Sequence, residues 1–171
     1  MTLNEKKVIN DYLRGELTKE AFLKNYPVDL RKNKNYVLIN LQKAYSNKNI
    51  ENVEYALSLL YFDNDAFTTN KYVEVLNNLM HEEWHYSHED IAALLQGIKS
   101  PQSINVLYET ALKTFDYLSY DDTYALARKC IHALKDIGTQ EAIDKLKLLA
   151  KSGIPIIQEK AKKQLNDLHD L

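Results

Sequence analysis

The segment 81–85 reads His-Glu-Glu-Trp-His and matches the zinc-binding pattern H-E-x-x-H. On a helix this pattern places two imidazoles one turn apart, where both bind Zn²⁺ while the glutamate acts as general base. A zinc hydrolase would use the following residues: His81 and His85 as ligands, Glu82 as base, and His88 or Glu89 as the third ligand.

Several features of the sequence argue against that chemistry. Glu83 occupies a position that zinc enzymes of this type prefer to keep uncharged, and the glycine and spacing of the longer metzincin motif are missing. The motif also falls at the end of a predicted helix, just before a predicted cap at Ser87. A structural interpretation is favoured, in which His81 and His85 form hydrogen bonds at a helix end and Trp84 packs in the adjoining groove. We therefore predict no enzyme, no catalytic residue, and no metal or other cofactor.

Length and composition predict one all-α domain. The chain has 171 residues, a size that fits one domain with its own core. It has only 4 Gly and 3 Pro, while Leu, Ala, Lys and Glu recur, which favours helices over turn-rich β-structure. The single cysteine, Cys130, excludes an internal disulfide and lies among apolar helix positions, so we expect a buried, inert thiol.

No part of the sequence predicts a membrane or export segment. The longest apolar run, residues 57–62, is far shorter than the about 20 residues that a membrane-spanning helix needs. Residues 1–7 lack the apolar core of a signal peptide. We expect a cytoplasmic protein.

Caps and breakers divide the sequence into helices. Residues that can cap a helix stand before stretches with apolar side chains three or four positions apart. The predicted caps are Thr2, Thr18, Asn49, Ser87, Ser100, Asp121 and Thr139. Gly138 is expected to end one helix, and Pro155 to begin the last. These signals predict divergent helices within residues 1–46 and helix pairs from about residues 50, 88 and 121.

The helix pairs repeat along the sequence. Residues 98–104 align with residues 137–143 at a fixed offset, and the partner helices that follow bury matching positions. Self-similarity of about this period is typical of helical-repeat proteins, in which each pair completes its core by stacking on the next. The sequence predicts an α-solenoid.

Residues 127–143 resemble the HEAT-repeat consensus, in which a helix ending Ala-Leu-x-x-Ile-Gly is followed by a short turn and a second helix. This resemblance implies an all-α, HEAT/armadillo-like α-solenoid of stacked antiparallel helix pairs. We expect a single domain over residues 1–171, with divergent helices in 1–46 and HEAT-like pairs in 50–168.

Charge is distributed unevenly along the chain. Residues 51–126 carry 3 Lys/Arg and 13 Asp/Glu, whereas the segments on both sides have an excess of Lys and Arg. Such an acidic segment repels nucleic acid and attracts a cationic partner, although a solvated acidic face has the same composition. Eight of the 12 tyrosines lie in the same segment, and exposed aromatic residues dominate protein interfaces.

Two predicted connections combine these acidic and aromatic residues. The predicted partner-binding residues are Glu82, Glu83, Trp84, His85, Tyr86 and His88 in the first, and Asp116, Tyr117, Tyr120, Asp121, Asp122 and Tyr124 in the second. Asp121 has an alternative role as a helix cap.

Residues 81–90 and 115–124 are similar to segments of small bacterial HEAT-type proteins, some of which are immunity proteins of contact-dependent or Rhs-type toxin systems. This resemblance implies an immunity protein that occludes the functional surface of a toxin. The acidic segment predicts that this toxin is basic, and a nuclease fits best because it must attract phosphates. We expect a monomer or a 1:1 complex with the toxin, and neither a nucleic-acid nor a membrane partner. A general HEAT-repeat adaptor for protein complexes has the same sequence features and stays open.

Overall fold

The protein is all-helical, as the sequence predicts. A computed structural model describes residues 1–169, which form ten α-helices, two short 3₁₀ turns and no β-strand. The helices are α1 (Leu3–Leu13), α2 (Lys19–Asn25), α3 (Tyr36–Ser46), α4 (Ile50–Leu60), α5 (Val73–His81), α6 (His88–Ile98), α7 (Ile104–Leu112), α8 (Ala125–Ile137), α9 (Gln140–Leu149) and α10 (Pro155–His169). The 3₁₀ turns span Pro101–Ser103 and Asp116–Leu118. Within this part of the chain, no helix has the length and apolarity that crossing a membrane requires.

Side-chain hydrogen bonds cap the N-terminal ends of four helices. The hydroxyl of Thr2 accepts the N–H of Glu5 while the Glu5 carboxylate accepts the N–H of Thr2, which is the predicted capping box. The side chains of Thr18, Asn49 and Thr139 accept N–H groups in the first turns of α2, α4 and α9. These four predicted caps are confirmed.

Three helix ends in the second half of the chain have left-handed backbone, the first being Lys99, which ends α6 with φ 57°. Gly138 ends α8 with φ +68°, a conformation that favours glycine because it has no Cβ. Tyr124 precedes α8 with φ 53° and ψ 45°, which is rare for a bulky residue.

The cap predicted at Ser87 is only partly present. Ser87 holds the N-cap position of α6, but its side chain makes no capping bond.

The chain forms two compact units, Met1–Lys71 with α1 to α4 and Tyr72–Leu171 with α5 to α10. This boundary divides the predicted helix pair of α4 and α5 between the units. The single domain over 1–171, with helix pairs over 50–168, stays a prediction.

The first unit is built around aromatic rings. Helix α3 packs on α4, and α1 contacts α2 and α4. The fully buried ring of Phe22 stacks on Phe62 at a centroid distance of 4.1 Å, and Tyr12 packs against both rings. Glu5 is buried in this unit; burial raises its pKa, but hydrogen bonds from Tyr36 and Thr2 more than offset this and lower it.

The second unit stacks six helices around an aliphatic core. Helix α8 contacts α6, α7, α9 and α10, and α5 contacts α6 and α7. The core side chains with almost no exposed surface include Leu76, Leu79, Ile91, Leu95, Leu107, Ile131, Leu134 and Leu146. The connections between α5 and α6 and between α7 and α8 contain all the residues predicted to bind a partner, apart from His88, which begins α6.

Candidate functional site

The H-E-x-x-H pattern does not form a helical turn. Helix α5 ends at His81, and Glu82 is already extended, with φ −80° and ψ 154°. His81 is exposed, whereas His85 is completely buried. Glu89, a candidate third ligand, forms an ion pair of 3.0 Å with Lys129. In the part of the chain that the structure describes, no three His, Cys, Asp or Glu side chains are arranged to hold a metal ion.

Backbone hydrogen bonds occupy both ring nitrogens of His85. Nδ1 accepts the N–H of Ser87 at 3.1 Å, so the proton of the neutral ring lies on Nε2, which donates to the carbonyl oxygen of Leu79 at 2.8 Å. The ring of Trp84 packs edge-on against His85 at 5.2 Å. The hydrogen-bonded structural role predicted for His85 is therefore confirmed, and its Nε2–H satisfies a carbonyl oxygen in the last turn of α5. The same prediction for His81 is wrong, because the exposed His81 side chain makes no hydrogen bond within residues 1–169.

His88 joins the two predicted connections. Its Nε2–H donates to the carbonyl oxygen of Glu82 at 2.8 Å, and its Nδ1 accepts the hydroxyl proton of Tyr117 at 2.9 Å. The His88 ring also packs against Phe115, with a centroid distance of 3.9 Å. The α5–α6 connection and the start of the α7–α8 connection are therefore held together by one buried side chain.

The pKa values of this cluster favour neutral rings. Burial lowers the pKa of His88 to about 4, and repulsion from His85 acts in the same direction. Burial lowers the pKa of His85 as well, and raises the pKa of Tyr117 to about 12. At neutral pH both imidazoles are uncharged and Tyr117 keeps its proton, which is the state that the hydrogen bonds require.

Lys113 is a site residue that the sequence analysis missed. Its Nζ lies 2.8 Å from Oε1 of Glu83 and 4.7 Å from the centroid of the Phe115 ring. The hydrogen bond from Lys113, together with its charge, holds the pKa of Glu83 below its usual value. Lys113 is one of only 3 Lys/Arg in residues 51–126, but no local pattern placed it opposite Glu83.

An open cleft of about 370 Å³ lies over this cluster, and we call it the acidic cleft. The residues that line it are Glu83, Tyr86, Thr114, Phe115, Asp116 and Tyr117. Tyr86 is 59% exposed and packs edge-on against Tyr117 at 5.3 Å, while Asp116 faces solvent. The cleft therefore presents tyrosine rings beside carboxylates. Its base is held by the hydrogen bonds of His85 and His88.

The predicted residues from 121 to 124 line a different pocket. Asp121, Asp122 and Tyr124 line an open pocket that shares Thr114 and Phe115 with the acidic cleft. The Asp121 carboxylate accepts the N–H of Ala125, the first residue of α8, at 2.7 Å. The predicted capping bond is therefore present, but Asp121 makes it from three residues before the N-cap position, which Tyr124 holds.

The twelve residues predicted to bind a partner do not form one site in the structure. Four line the acidic cleft: Glu83, Tyr86, Asp116 and Tyr117. Four belong to the segment that also supplies the base of the cleft: Glu82, Trp84, His85 and His88. Three line the second pocket: Asp121, Asp122 and Tyr124. Tyr120 lines neither and is 80% exposed.

Comparison with known proteins identifies no relative of this chain: no protein-family model matches it, and no curated protein or solved structure matches it significantly. The resemblances to HEAT-type and immunity proteins therefore depend on the sequence segments described above.

Proposed function

We propose that this protein is a bacterial immunity protein that binds a basic toxin domain, of the nuclease class, and neutralises it by covering its functional surface. Inhibition of this kind is steric and electrostatic, with no catalytic turnover and no cofactor. We place the protein in the cytoplasm, as a monomer or in a 1:1 complex with the toxin.

The helix contacts support a repeat scaffold for this role. In the second unit, α5 contacts α6 and α7, α6 contacts α8, α7 contacts α8 and α9, and α8 contacts α9 and α10. Contacts between helices two positions apart are those expected of stacked antiparallel pairs, although α6 and α7, which the sequence predicts as a pair, are not among the helices in extensive contact. We therefore propose a HEAT/armadillo-like α-solenoid, which presents its connections along a rigid surface.

The acidic cleft is the observation that carries the proposed binding function. Its tyrosines offer large contact area at low entropic cost, and the buried His88 holds the segment of Tyr117 in place before a partner arrives. Asp116 in the cleft and Asp122 at the neighbouring pocket are exposed and form no ion pair within residues 1–169. A preformed aromatic surface with unneutralised carboxylates suits a cationic protein surface.

Electrostatics favours a basic partner over nucleic acid. A nuclease toxin must attract phosphates and is therefore expected to be cationic on the surface that it uses. An inhibitor whose acidic segment carries 13 carboxylates would associate rapidly with such a surface and would compete with its substrate. The same segment would repel DNA and RNA.

Charge reversal tests this proposal. The double variant Asp116→Lys, Asp122→Lys changes exposed carboxylates at the two pockets, whereas Glu74→Lys, Glu109→Lys makes the same charge change at exposed positions that line neither. The partner used is the C-terminal domain encoded by the gene immediately upstream. We expect Asp116→Lys, Asp122→Lys to bind this toxin domain about 100-fold more weakly and to give no protection of growth. The control variant should lose much less affinity.

Two outcomes would contradict the proposal. Full protection by the Asp116→Lys, Asp122→Lys variant, with helicity unchanged by circular dichroism, would exclude this surface as the toxin-binding site. Tight binding of a protein without toxic activity would instead favour the general adaptor function.

A further inference from the structure

The pocket beside the acidic cleft has an apolar floor. It encloses about 170 Å³ between the end of α7, the connection 113–124, the first turn of α8 and the start of α10. Its floor consists of buried apolar side chains: Ala111, Phe115, Leu126, Ala127 and Ile157. Such a concave apolar surface favours a side chain that leaves water on entering it.

The rim of this pocket is aromatic and acidic. Leu112 and Tyr124 are 38% and 40% exposed at its edge, and Asp122 faces solvent. Lys113 is the only cation among the lining residues, and its ammonium group is engaged by Glu83. The net charge presented by the rim is therefore negative.

Hydrogen bonds organise the rim before any ligand binds. The Asp121 carboxylate accepts the N–H of Thr123 at 2.9 Å and the N–H of Ala125 at 2.7 Å. The hydrogen bonds from Thr123 and Ala125 lower the pKa of Asp121, so it stays charged near neutral pH. Tyr124 is held in the left-handed conformation at the edge of the pocket, and strained residues of this kind cluster at binding sites.

We propose that this pocket binds a large apolar side chain of a protein partner, at a segment in which lysine or arginine flanks that apolar residue. The floor excludes water from the anchor side chain, and the carboxylates of Asp121 and Asp122 pair with the flanking cations. An acidic rim repels phosphate groups, so neither nucleic acid nor an anionic membrane fits. This inference deepens the proposed function and rests on it for the partner, a basic toxin domain.

Synthetic peptides test the binding chemistry without the toxin. The probe is the N-acetylated, C-amidated peptide Lys-Lys-Leu-Lys-Lys, and its controls replace Leu by Ala or every Lys by Glu. In ¹⁵N-labelled full-length protein, the Leu peptide is expected to shift the amide signals of Leu126, Ala127 and Ile157. It should bind at least about 10-fold more tightly than the Ala peptide, because only the Leu side chain fills the floor. The acidic peptide should not bind.

Two variants locate the interaction at this pocket. Ser119→Phe places a ring on an exposed residue of the lining, and Asp122→Asn removes one rim charge. Both variants are expected to lower the affinity for the Leu peptide by about 5-fold or more. Glu109→Gln removes an exposed carboxylate elsewhere in the acidic segment and should change this affinity little. If Ser119→Phe does not fold, Asp122→Asn still tests the site.

The results separate this inference from the proposed function. Equal affinity for the Leu and Ala peptides, or amide-signal shifts confined to other helices, would contradict the proposed binding pocket even if the protein still neutralises the toxin. If the Leu peptide binds specifically but the protein does not neutralise the toxin, the result would support the proposed binding pocket and contradict the proposed immunity function.

Discussion

The rings of His85 and His88 stack at a centroid distance of 4.3 Å, with 19° between their planes, and both side chains are completely buried. Each ring is neutral and each donates a proton to a backbone carbonyl. Because protonating either one would leave a charge on a buried, stacked ring, this pair makes the base of the acidic cleft sensitive to acid.

Acid should destabilise the protein through this pair. A histidine in the unfolded chain takes up a proton near pH 6.5, whereas burial lowers the pKa of His88 in the folded protein to about 4. The contribution of His88 is therefore complete above pH 6.5 and is lost as the pH falls toward 4. From pH 7.5 to pH 5 the expected loss is about 2 kcal/mol, with a further loss from His85. Urea denaturation at the two pH values measures it.

Variants at two histidines provide the control for that measurement. His88→Gln removes the titrating ring and should reduce the difference between the two pH values, although it also lowers stability at pH 7.5. His132→Gln changes an exposed histidine on α8 and should leave the difference as in the native protein. An unchanged pH dependence in His88→Gln would show that other groups cause it.

Removing the Lys113 charge should accelerate binding of a basic partner. Lys113→Met keeps a long apolar side chain against Phe115 but frees the Glu83 carboxylate from its ion pair. The more negative cleft should raise the association rate by about 2- to 5-fold at low salt, and less at high salt because ions screen the field. Stopped-flow mixing with the toxin domain measures this. A slower association would mean that Lys113 itself contacts the partner.

Substitutions of Asp121 should separate its capping role from its charge. Asp121→Asn keeps an acceptor for the N–H of Ala125 but loses the negative charge, whereas Asp121→Ala loses both. We expect both variants to bind a basic partner more weakly, and only Asp121→Ala to show a clearly lower melting temperature, since α8 then loses its cap. Thermal melts followed by circular dichroism, together with calorimetric titration, distinguish the two effects.

The left-handed residue at the end of α8 should be sensitive to substitution. Gly138→Ala adds a Cβ that meets no close neighbour, its nearest contact being the Lys135 carbonyl oxygen at 3.6 Å, so the expected cost of about 1 kcal/mol comes from backbone strain alone. Gly138→Asn should cost less because asparagine tolerates this conformation. Urea midpoints of the two variants provide the comparison, and equal losses would contradict the explanation.

The sequence by itself determined the helices and several of their ends. These ends are the caps at Thr2, Thr18, Asn49 and Thr139 and the stop at Gly138. Each involves side chains and backbone groups within a few residues of one another, so the local sequence is enough to predict it. The acidic, aromatic character of the α5–α6 and α7–α8 connections was also predictable, because it is a matter of composition.

Only the tertiary structure decided how those connections combine. His88 and Tyr117 are 29 positions apart, and their hydrogen bond exists because the packing of α6 and α7 on α8 brings the two connections together. The same packing placed Lys113 beside Glu83 and separated Asp122 and Tyr124 into a pocket of their own. A sequence specifies local bonds residue by residue, but contacts across a helix stack depend on the geometry of the whole core, and no short pattern encodes that geometry.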